Sequence, residues 1–182
     1  MPVPDFSPGE VLTAAAMDQV GLWKIASASA TSGSSLSIDN CFTSTYATYL
    51  ILLEDVRTTT AQGWNFRLRA SGTDAVAAYY DVRRGYIYTS DTPQISRINN
   101  GANAQLACIS DTNSASVVIY VNQAQKARVT NFTSKGNDSR TGGYGLFDSG
   151  GILNNTTQYD GFTVYHAGTT SNINATVYGY RL

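Results

Sequence analysis

The sequence contains few of the side chains that enzymes use for acid–base or nucleophilic chemistry. His166 is the only histidine, and Glu10 and Glu54 are the only glutamates. No G-x-S-x-G motif precedes a helical pattern, so nothing marks the nucleophile of a serine hydrolase. Glu54 and Asp55 are neighbours in a predicted strand, where consecutive side chains point to opposite faces, so they cannot flank one glycosidic bond. We therefore expect a protein that is not an enzyme.

Metal, phosphate and redox sites are equally hard to assemble from these residues. Cys41 and Cys108 are the only cysteines, and with His166 they show no spacing typical of a metal site. Each cysteine lies in an apolar, strand-like context, which favours two buried free thiols over a disulfide. The glycine cluster Gly142-Gly143-x-Gly145 lacks the lysine and the following helix of a phosphate-binding loop. The sequence thus predicts no cofactor and no bound metal.

One stretch has the composition of a binding surface. Between Val76 and Tyr88, four tyrosines flank a pair of arginines. Tyrosine offers a large contact area at a small entropic cost, with a hydroxyl for hydrogen bonding, which suits sugar and protein surfaces. The alternative is that half of these rings belong to the core and the others to a subunit interface. The candidate surface residues are Tyr79, Tyr80, Arg83, Arg84, Tyr86 and Tyr88.

The overall composition indicates a folded domain and argues against some partners. Charged residues make up 14% of the 182 residues, below the roughly 25% of typical soluble domains, yet 12 tyrosines and 6 phenylalanines are too many aromatic residues for a disordered chain. The formal net charge is −1 and there is no basic tract, so we expect no nucleic-acid binding. The N-terminus lacks the features of a signal peptide, and no stretch is apolar over the length of a membrane span, so we expect no membrane insertion.

The first 21 residues are typical of an arm. Pro2, Pro4 and Pro8 favour an extended chain that cannot join a central strand. A short helix is predicted over Ala14–Val20, with Thr13 as its N-cap. This segment either covers the bottom of its own sandwich or anchors the protein in an assembly. The candidate attachment residues are Phe6, Pro8, Val11, Leu12 and Met17.

The rest of the chain is predicted to form strands around one central strand. Tyr46–Val56 is the longest nearly unbroken apolar run, and its β-branched and aromatic residues favour a strand. Within it Leu50–Leu53 is apolar on both faces, so we expect a strand in mid-sheet with both faces covered. Trp64, Phe66 and Leu68 alternate with polar residues, which predicts a strand with one face in the core and the other in solvent.

The spacing of turn signals predicts the architecture. Thr89–Asn103 and Ser134–Gly143 are expected to be loops, and Tyr159–His166 is expected to pair with Ile173–Leu182. Roughly nine to eleven short strands without βαβ alternation are typical of a sandwich or jelly roll. The predicted fold is therefore all-β: an antiparallel, jelly-roll-like β-sandwich over residues 22–182, preceded by an N-terminal attachment arm and short helix over residues 1–21.

Three parts of the sequence resemble small virion proteins of tailed bacteriophages. The first is the opening, Phe6–Asp18 followed by Val20–Trp23 (FSPGEVLTAAAMD and VGLW). The second is Phe42–Tyr49 (FTSTYATY), which leads into the apolar strand. The third is the closing pair of strands, Gly161–Thr163 and Ala175–Arg181 (GFT and ATVYGYR).

This resemblance implies a virion component with an N-terminal attachment segment and an outward β-sandwich, often a homotrimer. Members are usually described as minor tail, tail-fibre or receptor-binding-like proteins, and similar small β-domains decorate heads. The resemblance implies no catalytic residues. We therefore expect a tail-associated structural protein, assembled in the host cytoplasm, whose partners are other virion proteins and a host-surface glycan or protein. A head decoration protein is the alternative, and a polysaccharide depolymerase is the third interpretation.

Overall fold

The structure, a computed structural model, describes residues 21–77, 80–87, 93–139 and 144–180. Within these ranges it contains thirteen β-strands and no helix, and therefore no helix that could cross a membrane. The strands are β1 (Leu22–Ala30), β2 (Ser35–Ile38), β3 (Thr48–Thr58), β4 (Gln62–Ala70), β5 (Thr73–Asp74), β6 (Tyr80–Ile87), β7 (Pro93–Gly101), β8 (Ala104–Ser110), β9 (Ala115–Asn122), β10 (Thr130–Asp138), β11 (Gly145–Leu153), β12 (Gly161–Tyr165) and β13 (Thr170–Tyr180).

The predicted arm and helix lie outside the described residues. The same holds for all five candidate attachment residues, which are Phe6, Pro8, Val11, Leu12 and Met17. The first described strand, β1, begins at Leu22. The division of the chain into an arm and a domain stays a prediction.

The strands form two series of neighbours. The long series runs β1, β13, β3, β9, β10, β11, β6 and β7, and every pair in it is antiparallel. The short series runs β8, β4, β12 and β2, again antiparallel, and β5 pairs with β4. A single parallel bridge between Asp138 and Ile109 joins the two series. The predicted all-β, antiparallel class is confirmed.

The two series pack their apolar faces together. Along β9, Val117, Ile119 and Val121 are buried, while the residues between them face away from the core. Phe66 of β4 and Phe132 of β10 meet across the interior, with their ring centroids 5.8 Å apart. Burial of these apolar faces from water is the main stabilising term of such a fold. The packing agrees with a sandwich, and jelly-roll-like connectivity stays a prediction.

The predicted central strand is observed as β3, which lies between β13 and β9. Ile51 and Leu53 point into the core and are buried. Leu50 and Leu52 lie on the other face, next to Tyr120 of β9, which is 37% exposed. Leu50 is nevertheless only 8% exposed and Leu52 is half-buried, so the outer face of the strand is also shielded from solvent at Leu50.

Two segments predicted as loops are largely strands. Pro93–Gly101 forms β7 and pairs with β6, and the predicted loop Ser134–Gly143 begins inside β10, which forms a hairpin with β11. Both segments are rich in Asn, Gly and Ser, which favour turns, but cross-strand pairing overrides that preference. Pro93 is tolerated because it is the first residue of a strand that has β6 as its only described neighbour.

The predicted pairing of the last two strands is wrong. β12 pairs with β4 and β2, whereas β13 pairs with β3 and β1. Consecutive strands pair by default, but here they belong to different series. The alternation predicted for the last strand is confirmed, because Ala175 and Val177 are buried and Thr176 and Tyr178 lie on the outer face.

An ion-pair network ties the short series together. The guanidinium of Arg69, which is 14% exposed, lies 2.5 Å from the carboxylate of Asp74 and 2.6 Å from that of Asp39. It also donates to the hydroxyl of Thr163 over 3.0 Å. Hydrogen bonding to Asp39, opposed in part by burial, raises the pKa of Arg69. One side chain thus links β4 to β5, to β12 and to the residue that follows β2.

Candidate functional site

The predicted tyrosine–arginine surface is divided by the alternation of β6. Tyr80, Arg84 and Tyr86 lie on the side of β6 that faces the core, and Arg83 lies on the outer side. Tyr79 and Tyr88 lie outside the described residues. The structure therefore does not bring the described members of this set together on one surface.

Tyr80 is a core residue, which corrects its prediction as a surface residue. Its side chain is fully buried, and its hydroxyl accepts a hydrogen bond of 2.9 Å from the backbone N–H of Leu68. Burial raises the pKa of this hydroxyl, so it stays protonated. The sequence could not separate Tyr80 from its exposed neighbours, since tyrosine suits both environments.

Arg84 and Tyr86 form a stack with Phe147 of β11. The rings of Tyr86 and Phe147 are nearly parallel, with centroids 5.1 Å apart, and Phe147 is buried. The guanidinium carbon of Arg84 lies 5.2 Å from the centre of the Tyr86 ring and 5.8 Å from that of Phe147. Such cation–π contacts stabilise packing by roughly 0.5–1 kcal/mol. Both residues are half-buried and support the sheet from its inner side.

The outer face of β10, β11, β6 and β7 carries a groove. Strand register aligns two rows of outward residues across these four strands. The first row is Thr133, Gly150, Arg83 and Arg97, and the second is Lys135, Asp148, Gly85 and Ile95. Since Gly150 and Gly85 carry no side chain, backbone forms the floor of a depression of about 390 Å³.

The border of this groove is charged. Arg83 and Lys135 bring positive charge to it, and Asp148 brings one carboxylate. The ammonium of Lys135 lies 3.5 Å from the carboxylate of Asp148, with the two side chains 78% and 69% exposed. An ion pair so exposed adds little stability. The groups therefore remain accessible to a ligand.

Large apolar side chains are exposed beside the groove. Ile95 is 84% exposed, Leu146 is 74% exposed and Ile87 is 45% exposed. Leu146 is paired with Ile87 across β11 and β6, and Ile95 lies diagonally from Ile87 on β7. Soluble monomers rarely leave such residues clustered in water, and clusters of this kind often mark binding surfaces. We call the surface formed by Arg83, Ile87, Ile95, Lys135 and Leu146 the apolar–basic patch.

Sequence reasoning found only Arg83 of this patch. The sequence predicts loops at Ile95 and Lys135, and it does not single out Leu146. These residues become neighbours only through the register of four paired strands, and the order of residues in the chain does not reveal that register.

The titratable residues singled out from the sequence lie in the interior or form local contacts. His166 is 3% exposed, packs on Trp64 with ring centroids 4.4 Å apart, and accepts a hydrogen bond of 2.9 Å from the Gly168 N–H at its Nδ1. Burial lowers its pKa. Cys41 and Cys108 are buried thiols that are not joined in a disulfide, as predicted. Among the described residues, no group of three or more His, Cys, Asp or Glu side chains could hold a metal ion.

Asp55 departs from the geometry that the sequence predicted. It has a φ of 52° at an irregularity in β3, so regular alternation fails there. Its carboxylate lies 2.7 Å from the guanidinium of Arg57 and accepts a hydrogen bond from Asn172. The carboxylate therefore holds β3 and β13 together locally.

Comparison with known proteins yields little. No family model and no curated protein matches the chain. Among solved structures, it is similar to the CBM2 module of the evolved Dit of Lactobacillus casei BL23 phage J-1, with a TM-score of 0.32 and 11% sequence identity. The match covers 81% of this chain and 69% of that one. A likeness of this size carries no argument about function.

Proposed function

We propose that this protein is a structural component of a tailed-bacteriophage virion, associated with the tail, without catalytic activity of its own. It attaches to the particle through residues 1–21 and binds a neighbouring virion protein or the host surface with its β-domain. The resemblance of three sequence segments to small virion proteins supports the class. The observation that carries the binding role is the apolar–basic patch, where Ile95 and Leu146 are the most exposed large aliphatic side chains of the described residues.

The chemistry of the patch favours a protein partner. Exposed aliphatic side chains gain free energy only when a partner covers them, at about 25 cal/mol per Å² of apolar area removed from water. Arg83 at the border supplies the kind of cation that is enriched in protein interfaces. A partner that presents an apolar ridge with a nearby carboxylate would fit this surface. We propose that the partner is another virion protein, or a second subunit within a homotrimer.

A host-surface glycan is the second candidate ligand. The groove above Gly85 and Gly150 exposes backbone and is bordered by the side chains of Arg83, Lys135 and Asp148. Such a border offers hydrogen-bond donors and acceptors to sugar hydroxyls or to an anionic substituent. This alternative predicts that binding depends on the charged residues and tolerates changes at Ile95.

The location of the protein on the particle separates the tail role from its alternative. We would label intact virions with an antibody against this protein and image them by electron microscopy. Label at the tail supports the proposal. Label spread over the capsid lattice would make it a head decoration protein, which is the alternative function. If the purified protein released oligosaccharide from host envelope glycans, that result would support the depolymerase interpretation.

The patch itself is tested by a double substitution, Ile95→Asp with Leu146→Asp, in phage that carry the variant gene. We expect incorporation into particles or adsorption to the host to fall, because each carboxylate would have to be desolvated in the interface. Val76→Asp is the matched control, since Val76 is also an exposed apolar residue, at 57%, but lies outside the patch. If the two variants were incorporated into particles and adsorbed to the host equally well, the patch would have no binding role.

A further inference from the structure

Two arginines face each other across β6 and β7 on the outer side of the sheet. Register places Arg83 directly opposite Arg97, and both side chains are exposed. Side chains in directly opposite positions have Cβ atoms about 5 Å apart, and like charges in such positions destabilise the sheet. We call Arg83 and Arg97 the arginine pair. It lies beside the groove over Gly85 and Gly150.

Neither arginine forms an ion pair with a carboxylate in the described part of the chain. Arg83 donates to the carbonyl oxygen of Val82 over 3.1 Å and to the side-chain amide oxygen of Asn99 over 3.2 Å, and both of these acceptors are uncharged. Within the described ranges, therefore, two cations lie side by side without a counter-ion. A carboxylate from another molecule would relieve their repulsion.

The carboxylates on the same face are engaged in other contacts. Asp148 pairs with Lys135, whose ammonium lies 3.5 Å away. Asp81, two residues before Arg83, accepts a hydrogen bond of 2.9 Å from the backbone N–H of Asn100. The described outer face of these four strands therefore keeps an excess of positive charge, and this excess is located at the arginine pair.

Two glycines leave room for a foreign side chain next to these guanidinium groups. Gly150 is the neighbour of Arg83 on β11, and Gly85 lies diagonally from Arg97 on β6. A Cβ atom placed on Gly85 would meet no heavy atom within 4 Å, so the space above this backbone is open. A carboxylate that enters here can accept paired hydrogen bonds from a guanidinium group, which is the geometry that arginine favours.

An exposed aliphatic side chain lies next to the arginine pair. Ile95 and Arg97 are two residues apart on β7, so they point to the same side of the sheet at a distance of about 7 Å along the strand. Ile95 is 84% exposed. Alternate side chains of an extended peptide have the same spacing. A peptide with an aliphatic residue two positions from an acidic one would therefore cover Ile95 and bind the arginine pair at the same time.

The residues of this face favour a protein segment over an anionic glycan. Aliphatic side chains gain free energy when another apolar surface covers them, and arginine is enriched in protein interfaces. Tyrosine suits a sugar surface, but no outward position of the described strands β10, β11, β6 and β7 carries one. Tyr80 is in the core, and Tyr86 lies on the inner side.

We infer that the arginine pair binds an acidic segment of a partner protein. One aspartate or glutamate of that segment lies between the two guanidinium groups, and an aliphatic residue two positions away lies against Ile95. This inference rests on the proposed binding role of the apolar–basic patch, and it names the chemistry of the partner. It also makes Arg97, which sequence reasoning did not single out, a binding residue.

Peptide binding to the purified full-length protein, measured by fluorescence anisotropy, tests the inference. In the probe peptide every second residue is serine, and the residues between are alternately leucine and glutamate. We expect Arg83→Gln and Arg97→Gln each to weaken binding roughly tenfold, because each removes a hydrogen bond to a charged group. A second peptide with glutamine in place of glutamate should bind as weakly to the unchanged protein.

Arg128→Gln is the matched control, since Arg128 is an exposed arginine in the connection between β9 and β10. It changes the net charge by the same amount and should leave peptide binding unchanged. Absence of binding, or binding that is equally strong without the arginine pair, would overturn the inference. An oligogalacturonate of the same charge is the competing probe. If it bound more tightly than the peptide, the ligand would be an anionic glycan and the inference would be wrong.

The stability of the free protein separates binding from a structural role. Arg97→Gln removes one of two opposed charges, so the melting temperature at low salt should stay the same or rise. A clear fall would show that Arg97 supports the fold, and it would overturn the role assigned to this residue. Failure of these measurements is distinguishable from failure of the proposed function, which is tested on virions by labelling and by the substitutions at Ile95 and Leu146.

Discussion

The hydroxyl of Tyr80 accepts a hydrogen bond of 2.9 Å from the backbone N–H of Leu68. This contact fills a gap along one edge of β4. β8 pairs with β4 only as far as Phe66, and β5 pairs with it from Arg69 onward. Between these two neighbours, no described strand pairs with Leu68 along this edge, and the tyrosine hydroxyl takes the place of a backbone carbonyl as the acceptor for its buried N–H.

Tyr80→Phe should therefore destabilise the fold more than the loss of one hydroxyl suggests. The substitution leaves a buried N–H unsatisfied, which costs about 1–3 kcal/mol. Urea unfolding followed by tryptophan fluorescence measures this change. Tyr86→Phe is the control, because Tyr86 is half-buried and its hydroxyl bonds the side chain of Gln94 near solvent. Equal losses in the two variants would contradict the role assigned to Tyr80.

Arg69→Lys should weaken the short series although the charge is kept. Lysine cannot reach Asp39, Asp74 and Thr163 together, because its ammonium lacks the planar fork of the guanidinium. We expect the free energy of unfolding to fall by about 1–3 kcal/mol. Lys135→Gln, which breaks the exposed pair with Asp148, is the comparison and should cost about 0–0.5 kcal/mol. If Arg69→Lys left the free energy of unfolding unchanged, the fork geometry of the guanidinium would add nothing to stability.

The buried His166 should make stability depend on pH. Burial lowers its pKa in the folded state below the ordinary value of 6.5, so the unfolded chain binds the proton more readily. The free energy of unfolding is then fully retained above the ordinary pKa and falls as the pH drops below it. Since His166 is the only histidine, His166→Gln should flatten the stability profile between about pH 5 and 7. Unfolding titrations at a series of pH values test this, and an unchanged slope would exclude His166 as its source.

The two thiols should be inert in the folded protein. Burial raises the pKa of Cys41 to about 12, and its Sγ donates to the carbonyl of Ile38 over 3.6 Å. The thiolate is the reactive form, so a disulfide reagent at pH 8 should modify Cys41 and Cys108 only as fast as the protein opens. The modification rate, followed with and without urea, measures this. Rapid reaction of either thiol in native buffer would place it nearer the surface than the structure does.

The features predictable from the sequence are those set by alternation within one strand. Trp64, Phe66 and Leu68 are buried as their period predicts, and the same holds for Ala175 and Val177. Alternation needs no knowledge of the partner strand, because each side chain's face follows from its neighbours in the chain.

Features that depend on pairing between strands were not predictable. Residues 93–101 look like a loop until β6 pairs with them, and β12 was assigned the wrong partner. The apolar–basic patch depends on this information most, since Ile95 and Leu146 become neighbours only through β6. The composition indicates the right region of the chain, but the arginine that reaches the outer surface is Arg83, and Tyr80, three residues before it, lies in the core.

The pairing of β1 with β13 has a consequence for synthesis on the ribosome. β1 is the first described strand to be made, yet its neighbour in the sheet is β13, the last described strand. At 5–20 residues per second, β1 waits on the order of ten to thirty seconds for its partner. The central β3 waits for β13 as well. Hairpins such as β9–β10 and β10–β11 can close early, so a nascent chain holds a half-built sheet with open edges until β13 has been made.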